Sequence, residues 1–71
     1  MDNISGNAEK VYNALKSLGA VSEAKLKTAD DIMKKAGLAK SAVNAGLMEL
    51  IDKKMARRIA RQKSAGYYLI Q

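Results

Sequence analysis

The sequence predicts an α+β domain in the order helix, short strand, helix, helix, strand, strand. Three observations carry that expectation. Apolar residues recur at helical spacing in three stretches, the first two closing at Gly19 and Gly37. After Asp52-Lys53-Lys54 the spacing changes to simple alternation. The last residues, Tyr67, Tyr68, Leu69 and Ile70, are strong strand formers lying behind a glycine.

The elements follow in order. Residues 1–7 read as a flexible tail, with Ser5 or Asn7 available to cap the first helix. Ala8, Val11, Ala14, Leu15 and Leu18 form one apolar stripe, and Gly19 sits where a helix C-terminal glycine belongs. Between Ala20 and Lys27 either a loop or a helical turn fits, and Leu26 between two lysines reads as a short strand. Thr28 with Asp31 three residues on has the form of a capping box, and Asp30 and Asp31 complement the dipole of the second helix. Ala29, Ile32, Met33 and Ala36 are its buried stripe, with Lys34 and Lys35 at the end that favours cations. Gly37 then stops it in the left-handed region, and a third helix follows over 39–54, giving a helix-turn-helix. Gly46 in mid-helix costs about 1 kcal/mol relative to alanine and marks the close approach of another backbone. Met55 to Gln62 and Tyr67 to Ile70 are the two strands, with Lys63-Ser64-Ala65-Gly66 as the hairpin tip and Gly66 supplying an unusual backbone angle.

Composition bounds the function. The chain has 71 residues, no cysteine, no histidine and no proline. One small aliphatic core without disulfides is expected, and a zinc site would need carboxylates alone. No apolar run approaches the roughly 20 residues that span a bilayer, and the polar start MDNISGNAEK has no signal-peptide core, so a cytoplasmic protein without membrane contact is expected. The acids are scattered, and GNAEKV lacks the preceding strand and the lysine-threonine ending of a phosphate loop. No enzyme activity and no cofactor are expected.

The charge points to a partner. Formal net charge is +6, of which residues 1–39 hold +1 and residues 40–71 hold +5. In the third helix Val43, Leu47 and Leu50 form the buried side, leaving Lys40, Ser41, Asn44, Ala45 and Met48 on a small, polar opposite face. Asn44 can offer a bidentate hydrogen bond to an adenine edge, or can simply meet water. Lys40 opposes the helix dipole at its N-terminus, which favours a phosphate partner over a structural role. Lys53, Lys54, Arg57, Arg58, Arg61 and Lys63 follow without an intervening acid. Alternation puts Arg57 and Arg61 on the side of Ile59 and leaves Arg58 the freer contact. Tyr67 and Tyr68 point to opposite faces, one packed and one available to stack or to bond a phosphate. A readable helix face beside a strip of cations points to nucleic acid.

Taken together, KTADDIMKKAGLAKSAVNAGLMELIDKKMARRIARQ and the ending GYYLI resemble a winged helix-turn-helix domain over residues 8–71. The resemblance implies that the third helix enters the major groove of DNA while the hairpin, or wing, touches the backbone or minor groove. By position it implies contacts from Lys40, Ser41, Asn44, Ala45 and Met48 on the helix and from Arg58, Arg61, Lys63, Ser64 and Tyr68 on the wing. A narrower similarity is to the Z-alpha domains, which bind left-handed DNA or RNA through a lysine, an asparagine and a tyrosine spaced by four. Those positions hold Lys40, Asn44 and Met48, Tyr68 stands where that family has a tryptophan, and its wing prolines have no counterpart.

The expected function is therefore a small protein that binds double-stranded DNA, a transcription regulator or, in a prokaryote, a nucleoid-associated factor. RNA binding and docking onto an acidic protein partner are the alternatives. A monomer is expected, with a homodimer through the first helix or the wing as the other arrangement.

Overall fold

Ser5 opens the first helix, its hydroxyl accepting from the Ala8 N–H at 3.2 Å. The computed structural model describes residues 4–62 and 64–70. In it α1 runs Gly6–Ser17, α2 Ala29–Ala36, α3 Lys40–Asp52, β1 Ala56–Ile59 and β2 Gly66–Leu69. This is a three-helix core followed by an antiparallel hairpin, the winged-helix arrangement. Helix α1 begins two residues before the expected start because Ser5, rather than Asn7, takes the cap. It ends through Gly19, whose φ of 75° lets the Ala20 N–H donate back to the Leu15 carbonyl at 2.9 Å.

The segment left open between α1 and α2 is a 3-10 turn, Glu23–Lys25. The strand expected around Leu26 contracts to a single bridge at Lys27, which exchanges backbone hydrogen bonds with Tyr67 at 3.1 and 2.8 Å. One bridge suffices to hold this segment against β2, while Leu26 packs half-buried on the core.

The capping box of α2 is complete. The Thr28 hydroxyl accepts from the Asp31 N–H, and the Asp31 carboxylate accepts from the Thr28 N–H, each at 3.2 Å. Gly37 ends α2 at φ 68°, its N–H donating to the Met33 carbonyl at 2.8 Å.

Helix α3 is shorter than expected. It stops at Asp52, and Lys54 takes a φ of 60° so that the Met55 N–H can donate to the Leu50 carbonyl at 2.8 Å. A lysine performs the turn that glycine usually makes. Upstream, Gly46 is buried where α1 crosses α3. A Cβ placed there would lie 2.8 Å from Val11 Cγ2 and 2.9 Å from the Asn7 carbonyl oxygen, so the expected close approach is present.

The core gathers Val11 and Leu15 of α1, Ile32 of α2, Val43, Leu47 and Leu50 of α3, and Met55, Ala56, Tyr68 and Leu69 of the hairpin. Each large aliphatic side chain buried there contributes about 2 kcal/mol. The hairpin register pairs Ala56 with Leu69, Arg57 with Tyr68, Arg58 with Tyr67 and Ile59 with Gly66. Beyond it the Ile70 N–H donates to the Met55 carbonyl, and on the other edge of β2 the Leu69 N–H donates to the Ala20 carbonyl. Gly66 does not supply an unusual angle; positive φ at glycine occurs at Gly19 and Gly37. Its role is space, because a Cβ there would meet Leu26 Cβ at 2.8 Å.

Candidate nucleic-acid interface

Helix α3 turns its apolar side inward, and that decides what remains outside. With Val43, Gly46, Leu47 and Leu50 buried, the outward residues include Lys40, Ser41, Asn44, Ala45 and Met48. Met48, at 66 % exposure, lies well outside the core. Lys40, Asn44 and Met48 rise along one line at four-residue spacing, with Ser41 and Ala45 beside it. The small side chains of Ser41 and Ala45 leave the helix backbone accessible to a close-fitting partner.

The start of α3 carries no side-chain cap at Ala39 and no acid in its first turn. Its first amides are free of the side-chain partner that Thr28 gives α2, and Lys40 adds a full positive charge beside them.

Beside the N-terminal half of α3 lies an open groove of about 210 Å³. Lys40 and Asn44 form one wall, Ser64, Ala65 and Tyr67 the other, and Thr28, Ala29 and Asp30 close the end. Helix and wing therefore converge. The Lys27–Tyr67 bridge fixes this geometry, since it ties the residue before the capping box to the aromatic wall.

Tyr68, expected on the contact surface, is instead only 7 % exposed and belongs to the core. Strand β2 is covered at Gly66, Tyr68 and Leu69, leaving Tyr67 half-exposed in the groove. Arg58 stands directly across from Tyr67, so the two side chains leave the sheet on the same side. Arg57 and Arg61 are also exposed, Arg61 lying past the end of β1 in the loop of the wing. Ser64 is exposed at the wing and lines the groove. Lys63, the remaining expected contact, lies outside the described residues. Thr28 and Asp30, read from the sequence only as a helix start, and Tyr67, where Tyr68 was expected as the contact, are groove residues too. The alternation of β2 offered Tyr67 and Tyr68 equally.

Two carboxylates near these elements are held below their ordinary pKa. For Asp31 the leading cause is the hydrogen bond from the Thr28 backbone, opposed by slight burial and helped by the Thr28 hydroxyl and by Lys27 and Lys34. For Glu49 it is the Ser5 N–H, which donates to Oε2 at 2.7 Å and ties the start of α1 to α3. Both stay charged at neutral pH in structural roles. Among the described residues no cluster of acids, histidines or cysteines could hold a metal ion, and no helix is long and apolar enough to cross a membrane.

No protein-family model matches the chain, and no curated protein does. Solved structures do. The DNA-binding TubR fragment from Clostridium botulinum superposes with a TM-score of 0.78 at 19 % identity, over 96 % of this chain and 85 % of that one. A candidate DNA-binding protein from Ralstonia eutropha JMP134 gives 0.78 at 21 % identity, over 97 % and 86 %. The Zalpha domain of PKZ from Carassius auratus, solved in complex with Z-DNA, gives 0.70 at 25 % identity, over 90 % and 92 %. The chain shares with these proteins the winged helix-turn-helix fold.

Proposed function

We propose that this protein binds double-stranded DNA, with the outward face of α3 in the major groove and the wing on the adjoining backbone. The observation that carries the reading is the convergence of Lys40 and Asn44 with Ser64 and Tyr67 on one groove. The three structural neighbours, each a DNA-binding or candidate DNA-binding protein, support it. Asn44 and Ser41 would meet base edges, Met48 a thymine methyl or sugar, and Lys40, Arg58, Arg61 and Lys63 phosphates. Tyr67 replaces Tyr68 as the aromatic contact. The role is that of a regulator or chromosome-associated factor acting as a monomer in the cytoplasm.

The test is fluorescence anisotropy with a mixed-sequence duplex across a salt series. About five phosphate contacts give a slope of log affinity on log salt near −5. Asn44→Ala should change sequence preference and leave that slope intact. A flat salt response would overturn the reading.

A second reading, binding of left-handed duplexes, is favoured by Lys40, Asn44 and Tyr67 sharing the groove and by the Z-DNA complex of the Carassius neighbour. Circular dichroism of an alternating dC–dG duplex would invert on addition of the protein under this reading and stay right-handed otherwise.

A further inference from the structure

We propose that a second groove, at the far end of α3, docks an acidic segment of a partner protein that carries large apolar anchors. The groove encloses about 530 Å³ and is lined by Ile51 and Lys54, by Ala56, Arg57 and Arg58 of β1, and by Ile70. Among the described residues it shares none of its lining with the α3–wing groove. Ile70 is 47 % exposed, although its backbone is tied to Met55, and Ile51 is half-buried at the groove wall. A lone exposed isoleucine needs no explanation. Here two isoleucines and an alanine share one concavity edged by three cations, and among the described residues no acid lines it.

The chemistry selects the partner. A nucleic-acid backbone would satisfy Lys54, Arg57 and Arg58 but would set hydrated phosphates against the isoleucines. A second copy meeting this face isologously would oppose the same cations to one another. An acidic segment with one or two leucine-sized side chains meets both demands, its carboxylates on the arginines and its anchors on Ile51 and Ile70. The volume lies within the range of small binding pockets and admits a few side chains. Because Arg58 also shares a sheet face with Tyr67, an occupant here competes with any phosphate contact Arg58 makes.

The experiment uses a fluorescein-labelled ten-residue peptide of aspartate and glutamate carrying two leucines. One control peptide has serine for leucine, and another has glutamine for the acids. Anisotropy and 15N shifts are read on the full chain at 150 mM salt, about a physiological ionic strength. The acidic-apolar peptide should bind and shift Ile51, Lys54, Arg57 and Ile70. Ile70→Ser and Arg57→Glu should each weaken it about tenfold, with duplex affinity of Ile70→Ser unchanged. Equal binding of the leucine-free peptide would reduce the effect to bulk charge and overturn the proposal. So would shifts confined to residues 40–48, an unaffected Ile70→Ser, or a duplex that shifts this groove instead. Failure of the DNA titration alone would overturn the DNA reading and leave this one standing.

Discussion

Helices α2 and α3 are neighbours joined by one tight turn, yet their ends are built differently. Helix α2 has a reciprocal capping box, two acids in its first turn, two lysines in its last and a left-handed glycine behind it. Helix α3 starts at Ala39 without a side-chain cap, has Lys40 where an acid would be favoured, and turns out through a left-handed lysine, Lys54. In compensation α3 buries Val43, Gly46, Leu47 and Leu50, whereas α2 fully buries Ile32 alone. The short helix is held by its ends and the longer one by its side. A helix secured by packing can leave both ends to cations, and those ends are where the two grooves lie.

The largest test of this contrast removes the packing. Gly46→Val would press new atoms into Val11 and the Asn7 backbone, where even a Cβ is too close. Backbone cannot give as a side-chain tip can, so the expected cost is about 3 kcal/mol in urea unfolding. A loss below about 1 kcal/mol would mean that α3 does not depend on its crossing with α1.

The next pair of changes works on the caps and should carry opposite signs. Thr28→Ala removes one half of the capping box and should cost about 1 kcal/mol. Ala39→Ser supplies α3 with the hydroxyl it lacks and should gain a similar amount, about 1 kcal/mol. Ala39→Asp adds a charge that the helix favours but a phosphate would not, so stability should rise while duplex affinity falls. Thermal melts beside anisotropy would read both. A stabilised Ala39→Asp with undiminished affinity would separate the start of α3 from any phosphate contact.

What could be read in the sequence was local. Thr28 with Asp31, Gly19 and Gly37 announce helix ends because the chemistry that satisfies a terminal amide or carbonyl lies within four residues. Gly46 was legible because nothing local explains a mid-helix glycine. The outward set Lys40, Ser41, Asn44, Ala45 and Met48 followed from the period of α3 and is exposed. Lys54 gave no signal, since a lysine in the left-handed region is chosen by the Met55–Leu50 hydrogen bond rather than by its own preference. Tyr67 and Tyr68 were interchangeable until the register and the Lys27 bridge settled which was covered. Thr28 and Asp30 enter the groove only because that bridge draws the start of α2 against the wing. Gly66 was misread for a related reason: the atom it makes room for is on Leu26, forty residues earlier.

The smallest effect compares the two charged latches, Asp31 on Thr28 within α2 and Glu49 on Ser5 between α3 and α1. In both the folded state binds the proton less readily than the unfolded chain does, because hydrogen bonds favour the carboxylate. Their stabilisation is therefore complete above the unfolded pKa values, near pH 4, and is lost as pH falls through the lower folded values. Melting temperature should be level from pH 8 to 5 on this account and decline below about pH 4. Both groups are exposed, so the decline should be shallow. Asp31→Asn and Glu49→Gln should each flatten part of it, and the two effects should add because the latches share no partner. The distinction between them lies in what is released. Protonating Asp31 frays one helix start, while protonating Glu49 frees the beginning of α1 from α3, so amide exchange at Ala8 and Glu9 should accelerate only in the Glu49 variant. No acceleration in the Glu49 variant would mean that the start of α1 is held by its own Ser5 cap and the crossing at Gly46, with Glu49 adding nothing.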